Sequence, residues 1–278
     1  MSFYPQPDNY SCGPFSLKHA MNIFGVFKSD GLIIEKSGAR WWSGVDEVGL
    51  DIAARAFNFK LEEFQTDSEY KALVMLNKNL KKNYPCILCV DDWRHWITVV
   101  NHTKSEYVVI NSGEDKVFYT LNSQKLLDYW GCYIEEDKNY SFDGYALIPN
   151  FKAKTIAKFT PKKAQLLMYS QNKDLALHWE EYFSDITIFS VPLNDFVSEY
   201  LTFSSFLKKY EKLIINKIAF WHGSVPEHEL KKIINNMEFV AEIYNLVILN
   251  KNENKAIIDL TSLLMMYACG TYGMAKFY

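Results

Sequence analysis

The stretch Gln6-Pro-Asp-Asn-Tyr-Ser-Cys12-Gly13-Pro14, followed by the apolar-rich run Phe15 to Phe24, decides how this chain is read. Proline is favoured in a first helical turn, where its missing N–H has no partner to lose. A helix over 14–24 therefore opens at Cys12-Gly13-Pro14, and Gly25 stops it. A thiol in that turn sits at the positive end of the helix dipole, which favours thiolate, the attacking form of cysteine. The Cys12 backbone N–H faces a developing oxyanion, and Gln6 can turn its side-chain amide back as a second donor. Alone, a cysteine beside a Gly-Pro turn is commonly just a small buried residue, so its neighbours in the fold decide its role.

Two further segments supply partners. Asp91-Asp-Trp-Arg-His95-Trp-Ile-Thr-Val-Val100 is a strand headed by a histidine, and Tyr107-Val-Val-Ile-Asn111-Ser-Gly113 is the strand after it. Antiparallel pairing through a short turn brings His95 near Asn111, whose amide oxygen can accept the imidazole N–H and fix the tautomer, as a carboxylate would. His102, in the turn after the His95 strand, is the competitor for the base, with a solvent-facing side chain expected. His19 falls inside the first helix, and His222 and His228 flank a helix start further on.

The surrounding pattern places helices first and strands afterwards. Gly44–Phe57 reads as a helix burying Val45, Val48, Leu50, Ile52 and Ala56. Ser68–Asn83 reads as another, with Tyr70, Leu73, Leu76 and Leu80 at helical spacing. The short β-branched or aromatic runs 86–90, 95–100, 106–111, 131–136 and 144–149 read as strands, with a short helix at 123–130. The fold class is α+β. After residue 150, FKAKTIAKFTPKK reads as a linker to a second α+β region. There a strand at 186–191, helices near 193–214 and a capping box at Ser224-Val-Pro-Glu227 opening a helix to about Met237 are expected. A hairpin around Lys251–Asn254 and a terminal helix from about Ser262 complete it.

Gln6 and Cys12-Gly13, then a strand-heading His95, then a polar residue ending the next strand, resemble the papain-fold cysteine peptidases. Within that clan the chain is most similar to the bacteriocin-leader (double-glycine) processing peptidases. Gly44-Val-Asp-Glu-Val-Gly-Leu50, Pro85-Cys-Ile-Leu-Cys-Val90 and Leu127-Asp-Tyr-Trp-Gly131 also resemble that family's segments. The resemblance spans residues 1–149, about half the chain. It implies a nucleophile-bearing N-terminal helix packed on an antiparallel sheet, with 150–278 as an extension of its own. It further implies amide hydrolysis through a thioester on Cys12, with His95 as base, Asn111 orienting it, and Gln6 in the oxyanion hole. Where the family usually carries Asp-Pro, this chain has Asn111-Ser112, asparagine being the choice of papain itself. An acyltransferase or amidase on the same fold, or a silent interaction protein, are the alternative readings.

Composition narrows the partners. A net charge of −3, with both signs mixed along the chain, lacks the basic footprint of a nucleic-acid binder. A peptide or protein substrate is expected, with no cofactor and no metal. Cys86-x-x-Cys89 has a metal or redox spacing, but alternation along a strand would send the two sulfurs to opposite faces. No apolar run is long enough to span a bilayer, the N-terminus lacks a signal pattern, and five cysteines form no disulfide framework. A cytoplasmic, membrane-free setting is therefore expected. Trp41, Trp42 and Trp93, with Gly44, are candidates to line a substrate cleft, although tryptophan is equally at home in a core.

Overall fold

Helix α1 (Cys12–Asn22) begins at the cysteine, carries Pro14 in its first turn, and is buried along its whole length. It gives way at Gly25, whose positive φ of 70° lets the chain turn. Helix α2 (Asp30–Ser37) follows, then α3 (Glu47–Ala56), whose N-cap Asp46 accepts a hydrogen bond from the Gly49 amide at 2.8 Å. The buried face of α3 is Gly49, Leu50, Ala53 and Ala54. Val48, Ile52 and Ala56, expected inside, face solvent. Close packing decides this: a Cβ on Gly49 would come within 2.4 Å of the Ser37 carbonyl, so the small-residue side of α3 is the one that meets α2.

The computed structural model describes residues 3–136, 138–168, 173–193, 197–222 and 227–268. Strand β1 (Phe59–Thr66), which the sequence reading leaves unassigned, precedes α4 (Glu69–Lys81). Helix α4 buries Ala72, Leu76 and Leu80 but leaves Tyr70 exposed. Then come β2 (Cys86–Val90), β3 (His95–His102), β4 (Glu106–Ile110), β5 (Phe118–Asn122), α5 (Ser123–Trp130), β6 (Cys132–Ile134) and β7 (Asn139–Pro149). The strands form one antiparallel sheet in the order β1-β7-β2-β3-β4-β5, with β6 added to β7. This is the expected α+β class, a cysteine-bearing helix on an antiparallel sheet.

Both faces of the sheet are covered, which is why β2 reads as an unbroken apolar run. Ile87 and Cys89 face a core built from Leu17, Met21, Leu50 and Phe59. Cys86, Leu88 and Val90 face another, built from Leu76, Leu126, Trp130 and Phe142. The two sulfurs of Cys86-x-x-Cys89 thus lie on opposite faces, as alternation requires.

Helices α6 (Pro161–Met168) and α7 (Lys173–Leu177) complete the first compact unit, Met1–His178. It reaches beyond residue 149 because the stretch expected as a linker is packed. The Ala157 amide donates to the Ile23 carbonyl at 2.7 Å, and Phe159 is buried against the rings of Phe3 and Phe118.

The second unit, Trp179–Tyr278, holds α8 (Trp179–Thr187), β8 (Val191–Pro192), β9 (Tyr200–Thr202), α9 (Phe203–His222), α10 (Glu227–Ile243), β10 (Leu246–Leu249) and α11 (Glu253–Ala268). Its antiparallel sheet runs β8-β10-β9. The expected strand at 186–191 is corrected: Ile186 is a buried residue of helix α8, and only Val191–Pro192 pair. The expected hairpin is corrected too. LVIL is its only strand, and KAIIDL is helical, so α11 starts at Glu253 rather than near Ser262. Ala256, Leu260 and Leu264, four apart, supply a buried helical face that the β-branched run obscures. Of the capping box, Ser224 to Pro226 lie outside the described residues.

Candidate active site

Helix α1 and strand β3 meet through two buried hydrogen bonds. The Ser16 hydroxyl donates to the Trp96 carbonyl at 2.9 Å, and the Thr98 hydroxyl donates to the Ser16 carbonyl at 2.8 Å. Cys12 lies one helical turn before Ser16 on the same side of α1. The clamp therefore lays the tip of α1 over the start of β3, where His95 stands. Gly13 permits the approach: a Cβ there would come 2.3 Å from Val45 Cγ1 and 3.2 Å from Trp96 Cδ1.

The backbone N–H groups of Trp96, Gly13 and Cys12 itself lie close enough to the Cys12 sulfur to favour its charged form. Burial raises the thiol above its ordinary value, these donors pull it down, and the Asp8 charge raises it again; burial wins. Burial thus acts against the thiolate that the helix tip is expected to favour. A cysteine whose pKa is raised in this way needs a base to become a nucleophile.

His95 has a defined orientation. Thr98 pairs with Ile110 across β3 and β4, and extending the register past Ile110 brings Asn111 to Gly113 alongside Ile97 to His95. The His95 Nε2 lies 2.7 Å from the Asn111 Oδ1. The Asn111 Oδ1 also accepts the Gly113 amide at 2.9 Å, while its Nδ2 donates to the Tyr119 hydroxyl at 3.1 Å. An oxygen that only accepts faces the ring, so Nε2 carries the proton and Nδ1 keeps the lone pair. Gly113 lies over the imidazole, and a Cβ on it would sit 3.0 Å from His95 Cε1.

Gln6 binds the same turn from the other side. Its backbone amide donates to the Ser112 carbonyl at 2.8 Å, and its Oε1 accepts from the Ser112 hydroxyl at 2.7 Å. One of its two Nε2 hydrogens goes to the Asp8 carbonyl at 2.6 Å. Asp8 in turn accepts the Tyr10 and Ser11 amides, folding the loop that delivers Cys12. Ser112, a departure from the family pattern in sequence, thus anchors Gln6.

The substrate-lining candidates divide. Trp93 lines a cleft bounded by Val45, Glu63, Trp96 and Asp143, and its indole donates to Asp143 at 2.6 Å. Trp41 and Trp42 are not among the residues lining that cleft; they stand exposed, edge to face with each other, and Gly44 closes their turn at φ 64°. His102 closes β3 at the end remote from His95 and stacks on Tyr107. His228 is exposed, and the side chain of His222 lies outside those described. His19 is fully buried between the rings of Phe3 and Phe15. Among the described residues no three His, Cys, Asp or Glu side chains gather as a metal ion would require, and no helix is long and apolar enough to cross a membrane.

Residues the sequence reading passed over are Asp8, Trp96, Gly113 and Tyr119. Of these Asp8 and Gly113 carried a local signal, an Asx turn before the cysteine and a glycine just past the strand end. The contacts of Trp96 and Tyr119 come from pairing alone.

The site thus combines a buried cysteine at a helix tip with a neighbouring strand whose first histidine is held by an asparagine amide. No family profile and no curated protein matches the chain. Solved structures do. The peptidase domain of Streptococcus ComA, a bi-functional ABC transporter involved in quorum sensing, is 16% identical over 53% of this chain and 98% of that domain, with a TM-score of 0.42. A double-glycine-motif protease from an AMS/PCAT transporter, solved with its leader peptide, is 15% identical over 52% of this chain and 89% of that one, at 0.39. The N-terminal peptidase C39-like domain of a toxin-secretion ATP-binding protein from Vibrio parahaemolyticus is 13% identical over 52% and 98%, at 0.35. The second of these is a double-glycine-motif protease, the kind that the sequence motifs resemble.

Proposed function

We propose that this chain hydrolyses an amide bond, peptide or isopeptide, through a thioester on Cys12. The supporting observation is the 2.7 Å contact of His95 Nε2 with an Asn111 oxygen whose orientation is locked by Gly113 and Tyr119. That contact leaves Nδ1 as the proton acceptor, and the thiol, raised by burial, requires one.

Cys12 attacks the substrate carbonyl as its proton passes to His95. Asn111 holds the imidazolium in place, and the Cys12 amide with the second Gln6 N–H stabilises the oxyanion. The intermediate collapses to the thioester, and the leaving amine takes the proton from His95. Water, deprotonated by His95, then splits the thioester into the free acid and the thiol.

The test is turnover of a mixed-sequence peptide library, read by mass spectrometry, with circular dichroism as the fold control. Cys12→Ala and His95→Ala should each lose activity by about 10³-fold or more, and Asn111→Ala by less. A fully active Cys12→Ala chain would overturn the mechanism.

A further inference from the structure

A cleft walled by Val45 and Trp96, the two side chains that close on Gly13 next to Cys12, is about 480 Å³ in volume and falls in the range of sites that hold a small ligand or a side chain. The indole of Trp96 lines it, donates to the Val45 carbonyl at 3.1 Å and packs against Gly13, the residue after Cys12. Val45, on the same wall, packs where a Gly13 side chain would otherwise stand.

Asp46, Glu47, Glu63 and Asp143 line this cleft, and no Lys, Arg or His is among its lining residues. Asp143 is 7% exposed, and its carboxylate is held only by neutral donors, the Trp93 indole at 2.6 Å and the Ser141 hydroxyl at 3.0 Å. A buried carboxylate without a cation is costly unless something else supplies the charge. Among the described residues no cation pairs with it, and the carboxylates of Glu47 and Glu63 have no hydrogen-bond or ion-pair partner either. The Tyr145 hydroxyl registers how these groups converge: burial pushes its pKa up first, and Glu63, Glu47 and Asp143 push it further. The remaining walls are the rings of Trp93, Trp96 and Tyr145, surfaces that attract an ammonium or guanidinium group. A metal ion fits less well, since among the described residues these carboxylates do not gather as three ligands around one point.

We infer that this cleft receives a lysine or arginine side chain of the substrate and so selects a basic residue flanking the bond that Cys12 attacks. The assignment rests on the proposed hydrolase reading for its relation to the scissile bond. The cleft's preference for a cation can be read without turnover.

The probe is an equimolar library of N-acetylated tetrapeptide amides in which one position in turn is Lys, Arg, norleucine or Glu. Equilibrium retention is measured on the full chain carrying Cys12→Ala. Lys and Arg peptides should be retained at least tenfold over their norleucine counterparts at one position. That preference should fall below threefold when Glu47→Gln and Glu63→Gln are added, both exposed positions where the isosteric amide leaves packing intact. Retention without a cationic preference, a preference that survives the two glutamines, or no retention at all overturns the assignment. Hydrolysis of the same library by the unaltered chain reports separately. Cationic retention without hydrolysis sinks the chemistry and leaves the cleft, whereas hydrolysis indifferent to charge sinks only the cleft.

Discussion

Thr98 donates its hydroxyl hydrogen to the backbone carbonyl of Ser16, 82 positions earlier, and both residues are fully buried. With the return bond from the Ser16 hydroxyl to Trp96, it fixes the helix that carries Cys12 on the strand that begins with His95. The two bonds set the registry between the helix tip at Cys12 and the strand start at His95, residues far apart in sequence.

Thr98→Val should therefore loosen the clamp while keeping the side-chain shape. It removes a buried donor and leaves the Ser16 carbonyl short of a partner, a cost of about 1–3 kcal/mol. Chemical unfolding would show a lower midpoint at an unchanged slope, and turnover should fall as the helix tip drifts from His95.

Tyr119→Phe should act on chemistry more than on folding. It takes away the oxygen that accepts the Asn111 amide hydrogen at 3.1 Å, so the amide is freer to rotate and turn its nitrogen toward His95. A several-fold drop in kcat with KM nearly constant is expected from steady-state kinetics. An unchanged kcat would show that Gly113 alone holds the amide.

Gly113→Ala should be more severe. A Cβ 3.0 Å from His95 Cε1 and 3.3 Å from Asn111 Oδ1 forces the imidazole off its hydrogen bond. A fall in kcat/KM of roughly tenfold or more is expected from losing alignment. The thermal midpoint, read in the same preparation, should move little, because the turn itself is near the surface.

Cys12 reactivity should carry the mark of its burial. In His95→Ala the thiol keeps its raised pKa and loses its proton acceptor. Its alkylation by iodoacetamide should then rise only above the ordinary thiol range, about pH 8.5. The unaltered chain should react at neutral pH. Equal profiles for the two would separate His95 from the thiol.

His19 gives the fold an acid limit. Burial first, and the Lys18 charge second, hold its pKa well below the ordinary histidine value. Below about pH 6.5 the unfolded chain binds a proton that the folded one refuses, so stability falls as pH drops from there toward the depressed folded value, by up to about 1.4 kcal/mol per unit. Urea midpoints at pH 7 and pH 5 should differ by more in the unaltered chain than in His19→Leu.

Local chemistry wrote some of this protein plainly. Pro14 just inside a helix start, Gly25 past its end, and β-branched runs at β2, β3 and β4 gave the helix-then-sheet order and the candidates Cys12, His95 and Asn111. Each of those signals spans a few residues, so periodicity and turn chemistry suffice to read it. KAIIDL misled because the same β-branched residues suit a strand or a buried helix face, and only packing in the second unit chose between them.

What no window of sequence contained was the contact set itself. That Val48 and Ile52 face out follows from the closeness of Gly49 to Ser37. That Tyr119 holds Asn111 follows from the pairing of β4 with β5. That four carboxylates share one cleft with Trp93 follows from the start of α3, β1, β7 and the turn before β3 meeting in one place. The residues were given by the chain order, but which of them touch is set by sheet register and close packing, and both are properties of strands brought together from distant parts of the chain.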